Sequence, residues 1–378
     1  MSDNKCQRVT IIMATKRRPL HQKLNFRPNT SDNNLEYRGT KPTCEPTSIK
    51  ETMMLMVLYL CKKSLFFDTN LKVAIYLGTL FLLSLFADFA SVPKMYLSRS
   101  DNIFNKFFVK FAWGWNLLLL VPFVVFTTYI YCCGQKQRII KHHLLRICIA
   151  TFFWWFWTTL FNVVEASFGR CNHRQFGTKG SCLQAGHVWN GFDVSGHTFI
   201  LIYGSLLLIE ETRCMENWDS IKEHLRLENH HRVSRDPSQN LNPLRNLSDP
   251  EMHDLQLNYK KYTPYIRGLF ITITLFQIMW DVMLVCTMLY YHIMIEKFLG
   301  GALAILTWFF TYRMWYVHPK LFPKLPGQGV FKYIKKKGEP QAVPRRRTGS
   351  VVNGRGPLFM GRPIYPQQEA AQEESSAQ

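Results

Sequence analysis

The chain has 378 residues and a net charge of +20, from 46 Lys and Arg against 26 Asp and Glu. Its mean hydropathy of −0.09 would suit a soluble protein of two or three domains, but the apolar residues are segregated. Residues 1–50 and 324–378 are polar, basic and rich in Pro, Gly, Asn, Ser and Gln, and long apolar blocks with few charges lie between them, which excludes a plain soluble domain and predicts an all-α, polytopic integral membrane protein with disordered tails.

From the N-terminus, residues 1–23 contain no apolar run long enough for the core of a signal peptide, so targeting is expected from the first membrane helix. The stretch MMLMVLYLC (53–61), followed by Lys62 and Lys63, predicts a short interfacial helix within 51–71. A hydrocarbon core of about 30 Å needs about 20 apolar residues as helix. Six runs qualify or nearly do, at 73–92, 107–131, 144–164, 197–210, 267–290 and 299–317, and they define a six-helix transmembrane domain over 72–320. The fourth is short and begins with polar residues. Trp113, Trp115, Trp154, Trp155, Trp157, Trp189, Trp308 and Trp315 lie near or within run ends, as interfacial anchors do. The ten cysteines include no CxxC pair; Cys132 and Cys133 end a run, where packing or acylation is the natural role.

Lys and Arg favour the cytosolic side of short loops. The loop 132–143 holds Lys136, Arg138 and Lys141 with no acid; the N-terminal tail holds Lys16, Arg17 and Arg18, and the C-terminal tail the basic runs 335–337 and 345–347. Six helices put all of these on one side, with the long loop 211–265, so both termini (1–50 and 321–378) are expected in the cytosol. Charge that flanks membrane spans points to lipid, not nucleic acid, as the partner. The opposite side receives 93–106, 165–196 and the turn near 291–298.

This count carries His197, at the start of the fourth helix, and His292, at the end of the fifth, to one leaflet. Ionisable groups in membrane segments are costly and usually functional. Two histidines suffice for phosphoryl chemistry, one attacking phosphorus and the other protonating the leaving oxygen, with no metal or cofactor. The stretch GFDVSGH (191–197) supplies the expected substrate- and phosphate-binding positions: Asp193, Ser195 as helix cap, and Gly196, where a ligand can approach the backbone. Cys171 and Cys182 fall in the loop on the same side, either as a disulfide or as two free thiols; a zinc set of Cys171, His173, Cys182 and His187 matches no strong spacing.

The strings HVWNGFDVSGHTFILIYGSLLLIEE (187–211), PKMYLSRSDNIFNKFFVKFAWGWNLLLLVPF (93–123) and LTWFFTYRMWYVHP (306–319) resemble the fat storage-inducing transmembrane (FIT) family. The resemblance covers about 72–320 and implies six spans, residence in the endoplasmic reticulum membrane, a role in lipid droplet formation, and kinship to lipid phosphate phosphatases. It implies cleavage of the phosphoanhydride of fatty acyl-CoA, giving acyl-4′-phosphopantetheine and adenosine 3′,5′-bisphosphate at a lumenal site. His197 matches the proton-donating histidine of the second phosphatase motif and His292 the nucleophile of the third. Glu296 stands where that superfamily has a ring-orienting Asp, and Cys286 where it has an Arg. The first motif is absent and the phosphate-holding cations are unidentified; Arg99, Lys106 and Arg170 fall on the correct side, either in that role or as solvated loop charges. The competing expectation is a non-catalytic protein that binds di- or triacylglycerol and organises droplet budding.

Overall fold

A computed structural model describes residues 48–333, apart from 91, 94, 100, 174, 176, 235–241, 319–322 and 332, together with the two-residue strands Leu358–Phe359 and Arg362–Pro363, which pair antiparallel. The remainder of the expected tails lies outside the described residues. Helix is the dominant structure. In chain order the helices are α1 (Ile49–Leu65), α2 (Thr69–Phe89), α3 (Ala112–Tyr131), α4 (Lys136–Phe168), α5 (Lys179–Gln184), α6 (Gly196–Thr212), α7 (Ser220–Ser234), α8 (Asp249–Tyr290) and α9 (Met294–Trp315).

Five of these, α2, α3, α4, α8 and α9, are long and apolar enough to cross a membrane. The protein is therefore a polytopic, all-α membrane protein. The fourth expected run differs: it forms α6, of only 17 residues, and from Thr198 onward all but Ile200 are buried. Helix α6 is the axis of the bundle, packed against α9, α8, α3 and α4. A helix enclosed by other helices needs no lipid-facing surface and can be shorter than its neighbours. Close approach is made by small residues, as is usual between membrane helices. A Cβ on Gly204 would collide with Asn116 of α3, and one on Gly301 with Leu80 of α2. Asn116 in turn accepts the indole N–H of Trp280 of α8 at 2.9 Å.

The element ends also differ from the apolar runs, for local reasons. Residues Phe104–Val109 form a separate wide helical turn before α3. Helix α8 begins at Asp249, far ahead of its apolar part, because Ser248 and Glu251 cap it reciprocally and Pro250 sits in its first turn. The stretch expected as a tail from 321 contains a packed strap. The Val330 N–H donates to the Tyr131 carbonyl at 2.9 Å, the Tyr333 hydroxyl donates to the Cys214 carbonyl at 3.0 Å, and Phe331 and Tyr333 are buried.

Charged residues inside the bundle are paired. Arg146 of α4 meets Glu211, in the last turn of α6, through two bonds of 2.7 and 2.6 Å, and Tyr312 of α9 donates to the same carboxylate at 2.5 Å. Both charged side chains are fully buried. This network ties the outer helices to one end of α6; the other end holds the candidate site.

Candidate active site

The site is built where the mouth of α6 meets the start of α9. Ser195 ends the preceding chain in extended backbone and its Oγ accepts the Thr198 N–H at 3.3 Å, the expected N-cap. Its own N–H donates to the Glu296 carbonyl at 3.2 Å. A Cβ on Gly300 would sit 2.6 Å from the Ser195 carbonyl oxygen, so the absence of a side chain there sets how closely α9 approaches. Gly196 has the opposite surroundings: a Cβ would meet nothing within 4 Å, and the space over the first turn of α6 is open. His197 follows, half-buried.

His292 lies in the turn between α8 and α9 with φ of +57°. A non-glycine residue in left-handed backbone is strained, and the surroundings must hold it there. They do so from both sides. The Tyr291 hydroxyl donates to the Ser98 carbonyl at 3.0 Å, and the Met294 N–H donates to Asp88 at 2.9 Å. Lys297, almost completely buried, donates to the Met288 carbonyl at 2.7 Å and lies 4.0 Å from Asp88. The turn thus places the imidazole against two carboxylates: Nδ1 is 3.2 Å from Glu296 Oε2 and 3.8 Å from Asp193 Oδ2. Glu296 is itself oriented, because its Oε1 accepts the Asp193 N–H at 3.1 Å. An ionised carboxylate only accepts, so the ring tautomer that pairs with Glu296 has its N–H at Nδ1 and its lone pair at Nε2.

The structure therefore brings Asp193, Ser195, His292 and Glu296 into one hydrogen-bonded cluster, with Gly196 and His197 at its edge. His197 is within electrostatic reach of His292 and of Lys110. The two histidines share one end of the bundle. The Asp193 carboxylate lies 3.8 Å from His292 Nδ1, so its charge acts on that ring. Burial raises the Asp193 pKa from the ordinary value; His292 opposes that shift, while Glu165 and Glu296 reinforce it.

Arg99, Lys106 and Arg170 are exposed, as solvated loop charges are, and so is Lys110, a lysine not singled out in the sequence whose charge reaches His197. Its signal was available: it is the single charge in the apolar run 107–131. Lys179, whose charge reaches Asp193, pairs with Glu165 at 2.5 Å. It belongs to a small unit just ahead of the site in the chain, made of α5 and the antiparallel strands Arg170–Cys171 and Trp189–Asn190. A disulfide between Cys171 and Cys182, with Cα atoms 5.8 Å apart, closes this unit. The bond uses the two thiols that a zinc reading needs, although the His173 and His187 rings are 4.7 Å apart. Among the described residues no group of three or more His, Cys, Asp or Glu could hold a metal ion.

These features define a polytopic α-helical membrane protein with a histidine–carboxylate cluster at one end of its bundle. Comparison with known proteins gives the family. The model of the fat storage-inducing transmembrane protein family (FIT) matches residues 93–312, and the chain belongs to that family. It is 48% identical to the acyl-coenzyme A diphosphatase FITM2 of Drosophila melanogaster, over 95% of this chain and 94% of the relative. It is 32% identical to the protein of the same name from Danio rerio, over 63% of this chain and 80% of the relative, and 29% identical to that of Homo sapiens, over 67% and 84%. No solved structure matches the chain.

Proposed function

We propose that the protein is a fatty acyl-CoA diphosphatase that hydrolyses the phosphoanhydride to acyl-4′-phosphopantetheine and adenosine 3′,5′-bisphosphate. The observation that carries this reading is the strained His292, its Nδ1 3.2 Å from Glu296 and 3.8 Å from Asp193, at the same end of the bundle as His197. The names of the relatives in fly, fish and human agree with it.

In the first step His292 Nε2 attacks one phosphorus. A P–N bond forms, the bridging P–O bond breaks, and His197 gives its proton to the departing phosphate oxygen. The two carboxylates at Nδ1 offset the positive charge that develops on the ring. In the second step His197 takes a proton from water as the water oxygen attacks the phosphohistidine; the P–N bond breaks and the ring nitrogen regains its lone pair. The open space over Gly196 admits the phosphate to the N–H groups of the α6 mouth, and Lys110 supplies a positive charge beside it. The acyl chain lies among the apolar helices, so the integral membrane setting is part of substrate binding.

We place the enzyme in the endoplasmic reticulum membrane, with both termini cytosolic and the histidine cluster lumenal, supporting lipid droplet formation among di- and triacylglycerols. The basic loop 132–143, at the other end of the bundle from the histidines, and the oxidised Cys171–Cys182 pair just ahead of His197 in the chain favour this orientation.

The test is release of adenosine 3′,5′-bisphosphate from oleoyl-CoA by the purified full-length protein. His197→Ala is expected to slow it by about 10²–10⁴-fold, the range for loss of a general acid, and His292→Ala at least as much. Turnover that survives both substitutions, or neutral-lipid binding without turnover in the unmodified protein, overturns the assignment.

A further inference from the structure

The turn between α3 and α4 carries a feature that the proposed chemistry does not use. Cys133 and Gly134 both have positive φ, +49° and +71°, and reverse the chain sharply. The Gly134 N–H donates to the Tyr129 carbonyl at 3.0 Å, the Gln135 N–H to the Cys132 carbonyl at 3.1 Å, and the Arg138 N–H to the Gln135 carbonyl at 3.0 Å. Buried Ile139 and His143 anchor the segment from below. On this braced backbone lies a cavity of about 500 Å³ lined by Gln135, Lys136, Gln137, Arg138, Lys141 and His142.

Three fixed positive charges line the cavity, and no carboxylate does. Among the described residues Lys136, Arg138 and Lys141 have no ion-pair partner, whereas Arg146, Arg213, Arg232, Arg267 and Arg313 each meet an Asp or Glu. Glu251, whose charge reaches neighbouring Cys133, is held by the Ser248 cap. Lys324 adds positive charge from the strap side, where it acts on His142. Such a concentration of like charge is unfavourable unless an anion or solvent screens it. The volume falls in the range of small-ligand pockets and exceeds what one phosphate fills. Ile140, 59% exposed, projects apolar surface from the same segment.

We propose that this cavity is a second binding site, for a phosphate-bearing anion the size of a phosphorylated headgroup. It lies at the end of the bundle remote from the histidines. Arg146, one turn beyond His142 at the cavity's edge, is locked to the last turn of α6, and His197 opens the first; 17 helical residues separate these ends by about 25 Å. Occupancy there leaves the chemistry at His292 untouched and ties the protein to membranes carrying that headgroup.

The test uses the full chain in nanodiscs of neutral phosphatidylcholine, with two probes: dioctanoyl phosphatidylinositol 4-phosphate and soluble inositol 1,4-bisphosphate. Binding is read by native mass spectrometry or thermophoresis. The unmodified protein is expected to bind at least one, more weakly as salt rises. Binding of the lipid alone identifies a membrane headgroup as the source; equal binding of both identifies free phosphate. Each positive charge near an anionic surface is worth about fivefold in affinity, so Lys136→Gln/Arg138→Gln/Lys141→Gln should weaken binding about hundredfold. Because removing three loop charges can disturb insertion, the exposed single variants Lys136→Gln and Lys141→Gln are measured as well, each expected about fivefold weaker with oleoyl-CoA turnover unchanged. Absence of binding to either probe, or single variants that bind as tightly as the unmodified protein, overturns the proposal.

Discussion

A histidine with φ of +57° is an uncommon use of a β-carbon, and here the strain puts the ring where two carboxylates can reach it. Glu296 is four residues on and was legible in the sequence through the resemblance to the phosphatase motif; Asp193 comes from a distant loop, and no spacing rule links it to His292. The two acids are expected to act unequally. Glu296→Gln keeps the shape but exchanges an acceptor for an amide, and should lower kcat by about 10²-fold with little change in KM, as loss of an orienting hydrogen bond does. Asp193 is more exposed, and its pKa is raised. The sign follows from linkage: the folded state holds the proton more tightly than the unfolded chain, so the contribution of this group to stability falls as pH rises through the folded value. Asp193→Asn should therefore unfold at the same temperature as the parent or higher at pH 7, with the difference closing towards pH 4, while turnover drops. Thermal unfolding in detergent at both pH values, beside the oleoyl-CoA assay, checks this; a variant less stable at pH 7 contradicts it.

The elements that matter most to the site are the mouth of α6 and the first two turns of α9. Their contact depends on Gly300, where a β-carbon would lie 2.6 Å from the Ser195 carbonyl. Gly300→Ala must push the helices apart and misplace the pair of histidines; a fall in kcat of about 10²-fold with the protein still folded is expected, since small misplacements of reacting groups carry such penalties. Lys297 braces the same region by donating to the Met288 carbonyl at 2.7 Å. Lys297→Met preserves the aliphatic stem and loses the bond. It should reduce kcat and increase hydrogen exchange at Tyr291 and Met294, whereas Lys297→Arg recovers part of both. Neither role could be read from the sequence. Gly300 and Gly301 look like generic helix-packing glycines, and a lysine beside an acidic residue at a membrane boundary looks like a solvated charge.

The helical bundle is organised around a helix of only 17 residues, short for a membrane span. Glu211 of α6 holds Arg146 and Tyr312 from two outer helices in a fully buried network. Removing one member leaves a buried charge unpaired, so Glu211→Ala is expected to destabilise the bundle by about 3–5 kcal/mol, seen as a large drop in thermal midpoint in detergent; an unchanged midpoint would show that water reaches Arg146. By itself the sequence determined the class: apolar runs of membrane length have no alternative to helix, since the bilayer offers no partner for free backbone groups, and the motif around His197 carried the family. It also brought two histidines to one side through helix counting alone. Only the tertiary structure decided that α6 is the enclosed axis, that Asp193 comes within 3.8 Å of His292, and that the charge of Lys110 reaches His197. The reason is common to all three. Hydropathy records which segments leave water, but depth, rotation and neighbour are fixed by side chains packing across helices far apart in the chain, and that information has no local period to read.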